Sequence, residues 1–343
     1  MENPSAPLPR QEVIKAVERR RPPRIPLVMA HWWGEGLYEQ YGERLQTLSQ
    51  AYPEDAVIID LDLSNYAEWG LPWSINQSGS YDTRCVLPDW RQLDDFIACL
   101  PKAEADPRFA ELRLHAEQAH VENRYLILLI WRLFFERPWE IRGMQRLLLD
   151  YYDAPDQVHR LNDALCGLYL DYLQRAVREL QPDGFWTSDD LGHQRQLFMH
   201  PDTFRKFLKP YYQRIGRFLG QHGVHWWLHS CGNNTPILGD LVESGLTIFH
   251  PVQKGTMDER AVAQQFGTRL SFLAGFDVQH ILQEGTPDDV RREVRYLIDT
   301  FDRPEGGLCL AAGNGIVAGT PFENIAAFLD EAVLYGTHHR QAW

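Results

Sequence analysis

The stretch Val224-His225-Trp226-Trp227-Leu228-His229-Ser230-Cys231-Gly232 holds the pattern from which the fold is read. Val224 to His229 lacks a clean polar alternation, as a strand does when both of its faces are buried in a parallel sheet. It then breaks into small and polar residues, Ser230-Cys231-Gly232. His229 and Cys231 stand two apart, and in extended backbone residues i and i+2 project the same way. An imidazole and a sulfur therefore leave one strand end together.

The same kind of run recurs on both sides. Upstream lie Ile25–Ala30, Ala56–Asp62, Tyr125–Ile130 and Gly184–Ser188, and downstream Leu246–His250, Leu270–Gly275 and Gly307–Ala312. Longer segments of helical periodicity separate them, among them Pro155–Leu180 and Pro201–Gln221. Thr286-Pro287 and Thr320-Pro321 each pair an N-cap with a proline at the first helical position, and Thr320 with Glu323 fits a capping box. Eight strands, each followed by helix, predict an α/β (β/α)8 TIM barrel. The expected organisation is a single domain over 1–343, with an N-terminal extension whose residues 1–9 are flexible. Residues 70–100, after the second strand, are expected to form a lid or insertion. An open doubly wound sheet is the alternative, but no glycine-rich dinucleotide fingerprint follows the first strand.

Composition narrows the partners. Asp plus Glu number 47 against 34 Lys plus Arg, a net charge of -13 that disfavours nucleic acid. The five cysteines are odd in number and widely spaced, which fits a reducing compartment better than a disulfide framework. No secretory h-region opens the chain, and the apolar run Tyr125–Trp131 is interrupted by Arg132, far short of the ~20 residues that span a bilayer. The expectation is a cytoplasmic protein without membrane or nucleic-acid partners.

In a barrel the chemistry gathers where strands end. Those ends supply His31-Trp32-Trp33, Asp60 with Asp62, Arg132 with Glu136, Asp189-Asp190 with His193, His229 with Cys231, His250 with Gln253, and Asn314. His229 and Cys231 suit zinc, which accepts mixed nitrogen and sulfur ligands, and His250 is a further candidate ligand. The alternative is a buried cysteine beside a hydrogen-bonded core histidine. Asp189 and Asp190 are candidates for metal binding or acid–base work, or for capping a loop. Asp62 and Glu136 are candidate catalytic carboxylates, with a structural salt bridge as the other reading of Asp62. His31, Trp33, Gln253, His193 and Asn314 are the candidate substrate contacts, although paired tryptophans are more often core.

Several stretches together resemble the uroporphyrinogen-decarboxylase superfamily. They are Phe135–Gly143, Ser188-Asp189-Asp190-Leu191-Gly192, His200–Tyr211, His229-Ser230-Cys231-Gly232, Pro251-Val252-Gln253, Gly275–Gln279 and Gly313–Ile316. The resemblance implies a barrel enzyme, either a porphyrinogen decarboxylase or a zinc-dependent methyltransferase linked to a corrinoid carried by a partner protein, and a homodimer. True decarboxylases carry arginines after the first strand. Here that place reads Met29-Ala30-His31-Trp32-Trp33-Gly34, which aligns the chain with the methyltransferase-like branch. In that branch His229 and Cys231 match the metal pair, but Asn314 stands where a third cysteine is found. The expected activity is zinc-dependent methyl transfer or demethylation on a small molecule. The alternatives are decarboxylation, with Asp60 or Asp62 steadying a cationic intermediate, and a non-catalytic small-molecule-binding barrel.

Overall fold

The computed structural model describes residues 6–63 and 85–342. Seven parallel strands form one curled sheet in chain order: β1 (Ala56–Asp60), β2 (Tyr125–Leu129), β3 (Gly184–Ser188), β4 (His225–His229), β5 (Ile248–His250), β6 (Ser271–Phe276) and β7 (Leu308–Ala312). Among the described residues the sheet has these seven strands, not the eight expected. The Ile25–Ala30 run is replaced by a single parallel bridge, Leu27 to Leu310 of β7. The backbone N–H of Val28 donates to Leu310, and that of Asp55, just before β1, donates to Leu27. Both edges of the sheet are thereby tied to this one segment. Pro26 cannot donate to a ladder, and a short 3-10 turn takes over at Ala30.

β2, β3, β6 and β7 are buried throughout, as strands covered by helices on one face and by one another's side chains on the other must be. The register places Trp186 beside Trp227, and then Ser188, His229 and His250 in one row across β3, β4 and β5. That row sits at the C-terminal ends of the strands.

The opposite end is capped by the helix Arg10–Val17. Arg10 pairs with Asp183 ahead of β3, Glu18 lies 3.2 Å from His225 at the start of β4, and Gly307 donates its N–H to Ala16. Of the stretch expected to be flexible, residues 1–5 lie outside the described residues. Leu8 is buried and its N–H donates to Asp55 at 2.7 Å. Of the 70–100 segment, residues 70–84 lie outside the described residues; the remainder includes the helix Leu93–Ala98, which buries Leu93 and Phe96.

Helix starts followed local chemistry unevenly. Thr286 caps Pro287–Phe301 through a full capping box with Asp289. The box expected from Thr320 and Glu323 does not form: the last helix begins at Phe322 after Pro321, without a side-chain cap. No helix among the described residues is long and apolar enough to cross a membrane.

Candidate metal centre

Two loops meet at the mouth, and glycine allows them to touch. A Cβ on Gly232, whose φ is +78°, would lie 2.3 Å from the Gly192 carbonyl oxygen, and a Cβ on Gly192 would lie 2.7 Å from that of Cys231. No other residue fits this contact. It brings the loop after β3 against the loop after β4, and with it Asp190 against Cys231. Asn234 fixes the second loop by donating its amide to the carbonyls of Ser230, Cys231 and Gly232. Gln253 accepts the Gly232 N–H at 2.7 Å.

Asp190, His229 and Cys231 converge, their ligand atoms all within 4.8 Å of one another. The Cys231 sulfur lies 3.4 Å from His229 Nε2, and Asp190 Oδ1 lies 3.6 Å from the same nitrogen while accepting the Cys231 N–H at 2.8 Å. Asn314 donates its amide toward the sulfur at 3.7 Å.

Hydrogen bonding determines which nitrogen of His229 is free. His250 Nε2 faces the carbonyl of Ala312 at 2.9 Å, and a carbonyl only accepts, so Nε2 carries the proton. Burial and the neighbouring His229 hold His250 well below the usual imidazole range, so it is neutral and its Nδ1 is a lone pair. His229 Nδ1 lies 2.7 Å from that lone pair and must donate to it. Burial likewise keeps His229 neutral. Its Nε2 is therefore unprotonated and points at Cys231 and Asp190, the state a metal ligand requires. His250, expected as a ligand, has both nitrogens committed and instead orients His229.

The two adjacent aspartates divide. Asp189 is fully buried and accepts from the N–H groups of Phe134, Phe135 and Glu136 and from the Tyr212 hydroxyl at 2.7 Å. Burial lifts its carboxyl to about 6 against those donors. With its oxygens occupied it organises the Leu133–Glu136 loop and stands apart from the cluster. Strand alternation is the physical reason only one of the pair faces the mouth.

Glu136 lies beside the cluster. Ser188 donates its hydroxyl to Glu136 Oε2. Burial, then Asp190 and Asp189, push the carboxyl well above its ordinary range. Burial, then Asp190 and Glu136, raise the Cys231 thiol, with the Asn314 amide opposing them. Without a cation the sulfur keeps its proton; a bound cation reverses that balance.

Aromatic rings wall the site. Trp32 stacks on His250 at 4.6 Å between centroids, Trp131 lies 5.3 Å from His229, and His31 packs between Trp131 and Trp186. Burial and His229 lower His31 to about 4, so it stays neutral. Trp33, the expected contact, instead faces a separate groove with Tyr38 and Tyr52; its neighbour Trp32 takes the inward position. His193 is exposed, edge-on to Phe198 at 5.8 Å. Asp62 is exposed, its carbonyl accepting from Arg108, and it lies outside the Asp190 cluster. Asp60, exposed at the end of β1, has its carboxyl raised to about 6 by partial desolvation and by Asp62, in a groove against the helix Phe109–Val121.

A family profile described as uroporphyrinogen decarboxylase (URO-D) matches residues 140–334, more than half of the chain. The chain belongs to the URO-D family. The methylated-thiol–coenzyme M methyltransferase of Methanosarcina mazei is 27% identical over 128 residues, a stretch covering 37% of this chain and 32% of that protein. This chain thus matches only about a third of that relative's length. A solved structure of a methyltransferase from Methanosarcina mazei superposes with a TM-score of 0.67 over 95% of this chain and 98% of that one, at 16% identity. At that identity the likeness is one of fold. Both relatives are methyltransferases, matching the branch that this URO-D sequence resembles.

Proposed function

We propose that this URO-D protein is a zinc-dependent methyltransferase, working as one barrel domain, that passes a methyl group between a small molecule and a corrinoid carried by a partner protein. The observation that carries the reading is the cluster of a half-buried carboxylate, a buried imidazole and a half-buried sulfur, with the imidazole lone pair fixed toward the other two. The donor set fits zinc: Asp190, His229 and Cys231 give oxygen, nitrogen and sulfur, and three protein ligands leave a position open, as catalytic sites do. In this chain Asp190 supplies the donor that Asn314 does not. Zinc held there supplies Lewis acidity and favours thiolates.

The remaining roles belong to the protein's own groups. His250, anchored on Ala312, keeps His229 Nε2 free of its proton. Ser188 occupies Glu136 Oε2, leaving Oε1 to hold the proton that burial keeps on this carboxyl; Glu136 is thus placed to give that proton to a sulfur or oxygen arriving beside Cys231. Asn314 presents an N–H to the sulfur and to substrate, and Gln253 lines the same cleft. Trp32, Trp131 and His31 exclude water from one side. The arginine fork that a polycarboxylate needs is missing from Met29–Gly34, which argues against porphyrinogen decarboxylation.

Metal analysis of protein purified under reducing conditions tests the reading. About one zinc per chain is expected, lost in Asp190→Ala, His229→Ala and Cys231→Ser, together with methyl transfer from a methylated corrinoid to a thiol. Wild-type protein that neither retains nor takes up zinc would sink the proposal.

A further inference from the structure

Four arginines of this acidic chain share one groove. Arg260 stands on the helix Glu259–Phe266, Arg292 and Arg295 on Pro287–Phe301, and Arg303 just past its end; they line a groove of about 650 Å³ with Tyr296 and a single carboxylate, Asp299. That carboxylate is already engaged by the Tyr335 hydroxyl at 2.7 Å and by His339 at 3.5 Å. Arg292 pairs with Asp289 and Arg295 with Glu331, but each guanidinium has five N–H donors and keeps some free. Among the described residues Arg260 and Arg303 have no ion-pair partner; the Arg260 guanidinium lies 5.5 Å from the Tyr296 ring centre. Asp289, Glu331 and Asp299 offset part of this charge, but Arg260 and Arg303 leave the groove locally positive on a chain whose net charge is -13.

The arrangement is elongated. At ~1.5 Å per helical residue, the groove from Arg292 to the end of the helix at Phe301 runs about 14 Å. Arg292 and Arg295 stand along that length and Arg303 just past it, a span that matches about four residues of extended chain at ~3.3 Å each. The groove also leads to the mouth. Arg292 and Tyr296 line the next cleft together with Lys254, and Lys254 lines the cleft that holds Cys231, Gln253 and Asn314. We infer that this groove docks an extended acidic segment of a partner protein, whose carboxylates take the free arginine N–H groups in forked pairs, beside the mouth of the barrel. The inference does not depend on which metal or substrate the mouth takes.

The test uses the full chain and a fluorescein-labelled decapeptide of alternating Glu and Ser, followed by anisotropy at low and high salt, with a Lys–Ser peptide as control. The acidic peptide should bind saturably at low salt and weaken as salt rises. Its affinity should fall about tenfold or more in Arg260→Glu/Arg303→Glu, and stay unchanged in Arg160→Glu/Arg178→Glu, reversals at exposed arginines outside the groove. Thermal melts confirm folding, and Arg260→Gln/Arg303→Gln replaces the reversal should it not fold. No binding, equal binding to the Lys–Ser peptide, or binding indifferent to the groove variants overturns the inference. Displacement of the peptide by millimolar inorganic phosphate alone assigns the groove to small anions and overturns it too. A change of sedimentation confined to the groove variants assigns it to a second copy of the chain, with the same consequence.

Discussion

Replacing His250 with phenylalanine separates orientation from ligation. Phenylalanine keeps a ring that can stack on Trp32, as His250 does at 4.6 Å, but it has no acceptor for the His229 Nδ1 proton. That N–H is buried, and a buried donor left unpaired costs about 1–3 kcal/mol. Relief comes by ring rotation or by moving the proton to Nε2, and either change removes the lone pair from the Asp190–Cys231 side. Loss of a partner that orients a metal-bound histidine typically weakens metal binding about 10–100-fold, which is about 1.4–2.8 kcal/mol. His250→Asn, whose amide oxygen can take the place of Nδ1, should recover most of the affinity. Zinc affinity is read by competition with a chromophoric chelator, and the His229 tautomer in metal-free protein by nitrogen-15 shifts of its ring. Wild-type zinc affinity in folded His250→Phe, or a His229 proton found on Nε2 in the unmutated protein, would refute the relay from Ala312 through His250.

Other perturbations follow from the same geometry. Gly232→Ala places a methyl where the Gly192 carbonyl stands and forces a left-handed φ on alanine; a lower melting temperature together with lost zinc is expected, by calorimetry and metal analysis. Because burial and two carboxylates hold the Cys231 thiol protonated, zinc must displace a proton; affinity should rise up to about tenfold per pH unit, with proton release visible in calorimetry across buffers of different ionisation enthalpy. Asp55 accepts from Arg24 in a buried pair and from the N–H groups of Leu8 and Leu27, so Asp55→Ala should cost about 3–5 kcal/mol in urea denaturation. Burial lifts Glu54 from 4.5 to about 8, against the Met29 N–H, so the folded state holds a proton that the unfolded chain has released. The stability from this group is complete below 4.5 and declines as pH rises towards 8; Glu54→Gln should flatten that slope in denaturation curves taken across the window.

The sequence by itself determined the strands β1 to β7 to within a residue or two, because unbroken apolar runs of that length are stable only between two buried faces. It determined that His229 and Cys231 share a direction, because that follows from the period of a strand and needs no knowledge of neighbours. It could not determine which aspartate of the adjacent pair faces the mouth, nor whether Trp32 or Trp33 does. Those choices hang on where the loop after β3 and the 3-10 turn at Ala30 leave the regular period. His250 looked like a ligand because its type and its strand end were right; its Nε2 is instead engaged by the Ala312 carbonyl, 62 residues away in the chain. Asp190 was joined to Cys231 by the facing glycines at 192 and 232, a contact between backbones with no side-chain signal to find. Periodicity is local and was legible; convergence and tautomer depend on atoms brought together only by the packing of successive strands in the curled sheet, and the tertiary structure alone decided them.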